Sequence, residues 1–250
     1  RDEINEFCYL ETAEPRQASI ISGGAYYDPE WEKAYAEYDP QKANALLDEV
    51  GLKWDKDHKY RLRPDGKILS LIIEFMPWGP WPDACELVKG YWKAIGIKVV
   101  LKSEARSLRE TRMKANEHQV AIWHMDRCAN WLLFKPVHMI FGIEGWGTEY
   151  SRWYESGGKA GEKPAGDIAR LYELWDKIKT ATTEKERDRL AREVVNLHKK
   201  NIWMIGTVGE LLCPVVVKNN FRNVPTELIK DSSLRTPGNA NPVQFFIEQK

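Results

Sequence analysis

Between residues 69 and 123 the hydrophobic pattern changes from the period of a strand to that of a helix and back again. Over 69–75 apolar residues occupy every second position, which predicts a strand with at least one buried face. Residues 83–94 carry apolar side chains at helical spacing, and Gly96 follows them. Alternation returns over 97–102. This order predicts two parallel strands joined by a right-handed crossover, and therefore an α/β fold.

A helix is predicted before this unit. Asp39 is a favoured N-cap residue, Pro40 suits the first helical position, and Gly51 is placed to end the helix. The residues that share one face at helical spacing are Ala43, Leu46, Leu47 and Val50. After the second strand, a helix fits 104–115 and a third strand fits 119–123. Residues 1–30 predict a short helix followed by a loop.

The second half of the chain is less regular at first. Residues 124–166 are rich in aromatic residues, Gly and Pro and show no sustained period, which indicates a long and functional loop region. Two amphipathic helices are predicted from Asp167 onward, and Thr183 with Glu186 fits a capping box for the second of them. The apolar runs 202–208 and 214–217 predict short strands or buried connectors.

These elements predict one α/β lobe. We divide it into a lead-in helix and loop (1–38), a helix with the strand–helix–strand core (39–123), an aromatic-rich loop region (124–166), and a helical pair with C-terminal strands (167–250).

Composition excludes several classes of protein. The 37 basic residues balance the 37 acidic residues, which argues against binding to nucleic acid. No apolar run is long enough to span a membrane, and the chain begins without a signal peptide or an initiator Met, as if cut from a longer polypeptide. The four cysteines lack metal-site spacing and are interpreted as isolated thiols, although an exported protein could pair them: Cys8, Cys85, Cys128 and Cys213.

Several segments, in their order and spacing, resemble one known family. Residues 38–51 (YDPQKANALLDEVG) are similar to a segment of family 5 extracellular solute-binding proteins, which are the peptide-binding and related components of ABC importers. The turn Pro64–Lys67 before a strand, the helix end at Ala94–Val99, and the late segments 201–208 and 214–219 fit the same family. Members are about twice this length, and the match begins inside their second lobe.

The resemblance implies a fold and a function. The fold would be the C-terminal lobe of a two-lobed periplasmic-binding-protein type II fold, with a mixed sheet flanked by helices. The missing N-terminal lobe of the same protein would close over a peptide or oligosaccharide, and the closed form would dock on a membrane permease without any chemistry on the solute. The location would be periplasmic or extracellular, at the importer, and no cofactor is expected.

The candidate ligand-binding residues lie in the aromatic-rich region. Peptide-binding relatives carry an Asp after the third strand that pairs with the peptide amino terminus, but the usual Trp-x-x-Asp-Tyr pattern is absent here, and Arg127 stands beside Asp126. Eight aromatic residues lie between positions 123 and 154. Flat rings beside Asp and Arg suit carbohydrate. The predicted binding residues are Trp123, Asp126, Arg127, Trp131 and Trp146; the alternative is that the cluster packs beneath a long loop.

Other functions remain open at this stage. His124, Asp126 and Cys128 share a face of an extended chain and could hold a metal ion, but their spacing is not diagnostic and no metal site is predicted. A hydrolytic enzyme would have to use scattered residues, since no G-x-S-x-G, H-E-x-x-H, P-loop or G-x-G-x-x-G motif is present. A protein-interaction module is the third possibility, because a lone lobe would expose an apolar wall.

Overall fold

The computed structural model describes residues 1–125, 127–133, 137–141 and 146–249. The helices are α1 (Asp2–Tyr9), α2 (Pro29–Lys33), α3 (Pro40–Glu49), α4 (Trp81–Ala94), α5 (Arg106–Lys114), α6 (Thr148–Glu155), α7 (Gly166–Thr180) and α8 (Glu184–Asn201). The strands are β1 (Glu14–Pro15), β2 (Ser70–Phe75), β3 (Lys98–Ser103), β4 (Val120–Ala121), β5 (Val208–Gly209), β6 (Phe221–Arg222) and β7 (Phe246–Ile247).

Three strands form a parallel sheet in the order β3–β2–β4. Ser70 aligns with Lys98 at one end of the β2–β3 pair, and Phe75 aligns with Ser103 at the other. Helix α4 makes the predicted crossover between β2 and β3. Two antiparallel pairs, β1 with β5 and β6 with β7, form separate two-stranded sheets. The predicted α/β architecture, with parallel and antiparallel pairing and flanking helices, is therefore confirmed.

The interior of the sheet region combines apolar and charged side chains. Ile73 and Phe75 are buried on β2 and pack with Cys85 and Val99. Glu74, which lies between them in sequence, is also only 1% exposed. Both faces of β2 are therefore covered at its carboxyl end, so the carboxylate of Glu74 must find its partners inside the protein.

A buried arginine connects α3 to the end of α4. Arg61 is 0% exposed, and its guanidinium donates to Ile95 O at 3.0 Å, Asp48 Oδ1 at 2.6 Å and Asn44 Oδ1 at 2.7 Å. Gly96 permits this approach, because a Cβ there would lie 2.8 Å from Arg61 Cγ. Its φ of +85° also suits the glycine that follows a helix end.

Helix α3 begins as predicted but buries nothing. Asp39 Oδ1 accepts a hydrogen bond from the Lys42 amide at 2.9 Å, and Pro40 occupies the first turn. No residue of α3 is buried, and Leu46 and Val50 are 47% and 69% exposed. Of the apolar face predicted from the sequence, Ala43 and Leu47 are half-buried and the other two residues are exposed. The polar contacts of Asn44 and Asp48 with Arg61 attach the helix.

The long helices α7 and α8 form the second part of the molecule. Thr183 Oγ1 accepts from the Glu186 amide at 3.3 Å, which confirms the predicted cap. The Glu186 carboxylate instead accepts from Arg189, so the reciprocal half of a capping box is absent from this described region. These helices contribute leucine, isoleucine and valine side chains to a large core that also contains Trp31, Trp131 and Phe141.

Several sequence expectations for the second half are corrected. Helix α6 lies inside the region predicted to lack regular structure, and the third strand is limited to Val120–Ala121. Segment 214–217 is neither a strand nor a buried connector, because Val215 and Val216 are 80% and 94% exposed. All four cysteines are free; Cys85 and Cys128 are buried, whereas Cys213 is exposed.

Candidate functional site

The candidate site lies where the three parallel strands end. Parallel strands place their carboxyl ends at one edge of a sheet, and ligands of open α/β sheets bind outside that edge. Here the segments that follow β2, β3 and β4 converge on a pocket of about 390 Å³. Its lining residues are Met76, Pro77, Trp78, Glu104, Ala105, Arg106, Trp123 and His124.

Aromatic rings form one continuous cluster at this edge. Trp78 and Trp81 meet edge-to-face with ring centroids 5.1 Å apart, and Trp81 meets Trp123 at 5.9 Å. Trp123 stacks on His124 at 4.8 Å and 28°. Edge-to-face and offset contacts of this kind stabilise fixed ring orientations. The pocket wall is therefore preorganised by rings from the segment after β2, from the start of α4 and from the segment after β4.

Trp123 is in contact with two guanidinium groups from α5. Arg109 Cζ lies 4.4 Å from the centre of the Trp123 ring, and Arg106 Cζ lies 5.2 Å from it. Arg109 is 2% exposed, so this cation–π contact is largely removed from water. Since His124 also stacks on Trp123, protein groups already occupy much of this ring.

A buried ionic network supports the edge from below. Glu74 Oε1 accepts from Arg112 Nη2 at 2.7 Å, and Lys102 Nζ lies 3.3 Å from Glu74 Oε1 and 3.1 Å from Glu104 Oε2. Burial opposes ionisation of Glu74, but its hydrogen bonds with Arg112, Glu104 and Lys102 outweigh it, and the pKa of this carboxyl is held below its usual value. The network thus brings two acidic and two basic side chains together at the edge.

A larger groove runs along the outer side of β4, with a volume of about 830 Å³. Ile73, Val88 and Trp92 contribute to its apolar lining. Trp146 and Trp203 contribute a stacked pair, with centroids 5.1 Å apart and ring planes 10° apart. Trp146 Nε1 donates to His138 O at 3.1 Å. The groove reaches the first pocket, because Trp123 and His124 line both.

Comparison with known proteins identifies the family. The model of the bacterial extracellular solute-binding proteins, family 5, matches residues 1–128. The chain belongs to this family. An oligopeptide-binding protein OppA of known structure is 44% identical over 99% of this family 5 chain, with a TM-score of 0.84. This chain covers 41% of that protein. A search of curated proteins gave no match.

More distant solved structures share the fold. A Thermotoga maritima periplasmic oligopeptide-binding protein with bound mannohexaose is 19% identical with a TM-score of 0.62, over 90% of this chain and 42% of that one. The Bacillus subtilis oligopeptide-binding protein AppA, in complex with a nonapeptide, is 16% identical with a TM-score of 0.62, over 99% of this chain and 45% of that one. The family 5 chain therefore spans less than half the length of these similar proteins.

The structure separates the residues predicted to bind the solute. Trp123 lines both the pocket and the groove, and Trp146 lines the groove. Trp131 is 1% exposed, belongs to the large core and lines neither cavity, so its predicted role in solute binding stays a prediction. Arg127 has a φ of +64° and does not line either cavity. Asp126 lies outside the described residues.

Of the three residues in the metal hypothesis, Asp126 lies outside the described residues. Cys128 is buried, and its Sγ donates to Met125 O at 3.1 Å. Within the ranges that the structure describes, no three His, Cys, Asp or Glu side chains are grouped so that they could hold a metal ion. In the same ranges no helix is long and apolar enough to cross a membrane.

Sequence reasoning missed most of the pocket lining, including Trp78, Glu104 and Arg106, and it missed Trp81 of the adjoining ring cluster. A signal for them was available. The Pro-rich segment 76–82 and the residues after 103 each follow directly on a predicted parallel strand, so both segments had to lie at the carboxyl edge of the sheet.

Proposed function

We propose that this family 5 chain supplies one wall of a solute-binding cleft in a component of an ABC importer. The solute would be a peptide or an oligosaccharide, bound and released without chemical change. The observation that carries this proposal is the aromatic pocket at the carboxyl edge of the β3–β2–β4 sheet, held by rings of fixed orientation. An OppA that is 44% identical to this chain supports the peptide class, and a distant relative with bound mannohexaose supports the oligosaccharide class.

The proposed partners follow from the extent of the pocket. Binding sites for small molecules enclose about 70–90% of the ligand surface, whereas this pocket and groove are open on one side. We therefore propose that a second, N-terminal lobe of the same protein closes over this edge. Closure would be a hinge motion driven by tighter binding in the closed state, and the closed form would dock on a membrane permease outside the cytoplasm.

A thermal-shift screen tests the binding proposal. The chain is heated with peptides, oligosaccharides or nickel chelates at millimolar concentration, and a specific ligand raises Tm because it binds the folded state alone. We expect one solute class to raise Tm, with weak affinity because one wall is present. Micromolar affinity of the 250-residue chain would contradict the need for a second lobe. No shift with any class, together with turnover of a test solute, would replace binding by catalysis.

A further inference from the structure

One tryptophan at the carboxyl edge differs from all the others. Trp78 is 57% exposed, whereas the remaining ten tryptophans are buried or half-buried. A tryptophan ring in water forgoes roughly 2–3 kcal/mol of burial, so an exposed ring in a pocket wall indicates a contact surface. Trp123 does not offer the same surface, since Arg109 and His124 already contact its ring.

The orientation of Trp78 is set by its neighbours. It meets Trp81 at 5.1 Å with an interplanar angle of 78°, and His124 at 6.0 Å with an angle of 68°. Two edge-to-face contacts from different segments fix the plane of the ring. Trp78 therefore presents a rigid flat surface that loses little conformational entropy when another flat group stacks on it.

The charged residues of this pocket are already neutralised. Glu104 is 7% exposed, and Lys102 Nζ lies 3.1 Å from its Oε2. Arg106 Nε donates to Glu110 Oε1 at 2.7 Å. Both of these lining residues therefore already have an ion-pair partner, so a charged solute group that entered beside them would lose its hydration without gaining an unpaired charge from either. The desolvation free energy of a neutral solute with many hydroxyl groups is smaller, because hydroxyls can replace lost water by donating or accepting hydrogen bonds in the pocket.

We infer that the pocket is a carbohydrate subsite, in which the apolar face of a neutral sugar ring stacks on Trp78. This inference rests on the proposed solute-binding function and narrows it from two solute classes to one. A peptide fits less well, because its ammonium and carboxylate termini both require an uncompensated partner. Trp78 is thus assigned as a residue that determines solute class.

Saturation-transfer NMR on the 250-residue chain tests the inference, since this method detects millimolar binding. The probes are mannohexaose, maltohexaose and pentaalanine. We expect transfer to at least one hexasaccharide and none to the peptide. Replacing Trp78 with Ala should weaken the sugar signal about tenfold, the upper end of what one aromatic stacking contact contributes. Trp78→Phe keeps a flat ring and should retain an intermediate affinity.

Phe7→Ala is the matched control. Phe7 is 66% exposed on α1 and lies outside the linings of the pocket and the groove. Its replacement therefore removes an aromatic ring of similar exposure and leaves the subsite intact. We expect sugar binding by Phe7→Ala to equal that of the native chain. Circular dichroism of each variant shows that the fold is retained, which is expected because Trp78 is not a core residue.

The outcomes separate this inference from the function on which it rests. Binding of pentaalanine without either sugar would overturn the carbohydrate assignment and leave solute binding in place. Sugar binding that is unchanged in Trp78→Ala would overturn the placement on this ring. No transfer to any of the three probes would count against both the subsite and the proposed function.

Discussion

The parallel-sheet region and the helix-pair region bury their interiors in different ways. Within the described residues, the core around α7 and α8 joins sixteen buried side chains, among them Trp31, Trp131 and Phe141. The core beneath β2 and β3 joins four, namely Ile73, Phe75, Cys85 and Val99. The helix pair is therefore stabilised mainly by apolar burial, and the sheet region depends more on polar contacts.

The sheet region, which has the smaller apolar core, also contains buried charged side chains. Arg61, Glu74 and Arg109 are each 2% exposed or less, and all three lie in or beside the sheet region. Desolvation offsets much of the attraction within a buried ion pair, but removal of one partner is destabilising because it leaves the other charge buried and unpaired. The large apolar core and the carboxyl edge of the sheet are therefore separate, and we expect a substitution in one to have a limited effect on the other.

The largest expected effect on stability tests this contrast between the two regions by replacing one tryptophan in each. Trp131→Ala should lower the free energy of unfolding by about 4 kcal/mol, since it empties a buried site in the large core. Trp78→Ala should change it by about 0.5 kcal/mol or less, because the ring is exposed. Urea denaturation measures both. Similar losses in the two variants would show that the sheet edge is part of the same core.

A pH effect should come from the helix-pair core. His198 is 1% exposed, its Nε2–H donates to Met139 O at 2.8 Å, and burial lowers its pKa to about 4. The unfolded chain takes up the proton first as pH falls, so stability is present above pH 6.5 and is lost between about pH 6.5 and 4. The loss should reach about 3 kcal/mol.

His198→Gln provides the control for that pH profile. Glutamine keeps an N–H donor for Met139 O but does not titrate. Its unfolding free energy, measured by denaturation at a series of pH values, should be flatter between pH 6.5 and 4 than that of the native chain. Parallel profiles for the two proteins would assign the pH dependence to other groups.

The next expected effect is smaller and concerns the ionic network of the sheet region, where we expect the contributions of Arg112 and Glu74 to stability to depend on each other. Arg112→Met removes the shortest hydrogen bond to Glu74 and should cost about 2 kcal/mol, because a buried carboxylate loses a charged donor. In a Glu74→Gln background the same change should cost less. A double-mutant cycle measures the coupling. Equal costs in the two backgrounds would mean that the pair contributes nothing beyond its separate side chains.

The ionic network should also make the stability of the protein depend on pH. The pKa of Glu74 is lowered in the folded protein, so its contribution is present above the usual Glu value and is lost as pH falls through the folded pKa. The acid limb of the stability profile should therefore flatten in Glu74→Gln, in a lower pH range than the effect of His198.

The smallest expected effect concerns α3, which has no buried residue. Asp39→Ala removes the N-cap and should cost about 1 kcal/mol, whereas Asp39→Asn should cost little because Asn also caps. The loss should remain local, and amide hydrogen exchange of α3 would detect it. Gln41→Ala, at an exposed position of the same helix, is the control. Equal exchange rates in the Asp39→Ala and Gln41→Ala variants would contradict the assigned cap.

The elements that were predicted well are those that a local pattern specifies. Helix α4 and strands β2 and β3 follow from a change of period that is visible within ten residues. The caps at Asp39 and Thr183 follow from side chains that accept hydrogen bonds from the amide three positions later. The family resemblance, confirmed by the match over residues 1–128, also rested on local segments.

The elements that were missed depend on distant neighbours. Helix α6 lies within an aromatic-rich stretch, where Ser151 and Tyr154 contact the distant α7 through Tyr172. Segment 214–217 has an apolar sequence, yet no element of the described chain covers it. The spacing of apolar residues along the chain therefore predicts neither the presence of α6 nor the exposure of segment 214–217.

The sequence by itself determined the α/β class, the crossover unit, the helix caps and the family. It also located an aromatic-rich region near the site. The tertiary structure decided how exposed each tryptophan is: Trp131 lies in the core, Trp123 contacts Arg109 of α5, and Trp78 remains at the surface. The physical reason is that secondary structure depends on neighbours a few residues apart, whereas exposure depends on what distant segments pack against each ring.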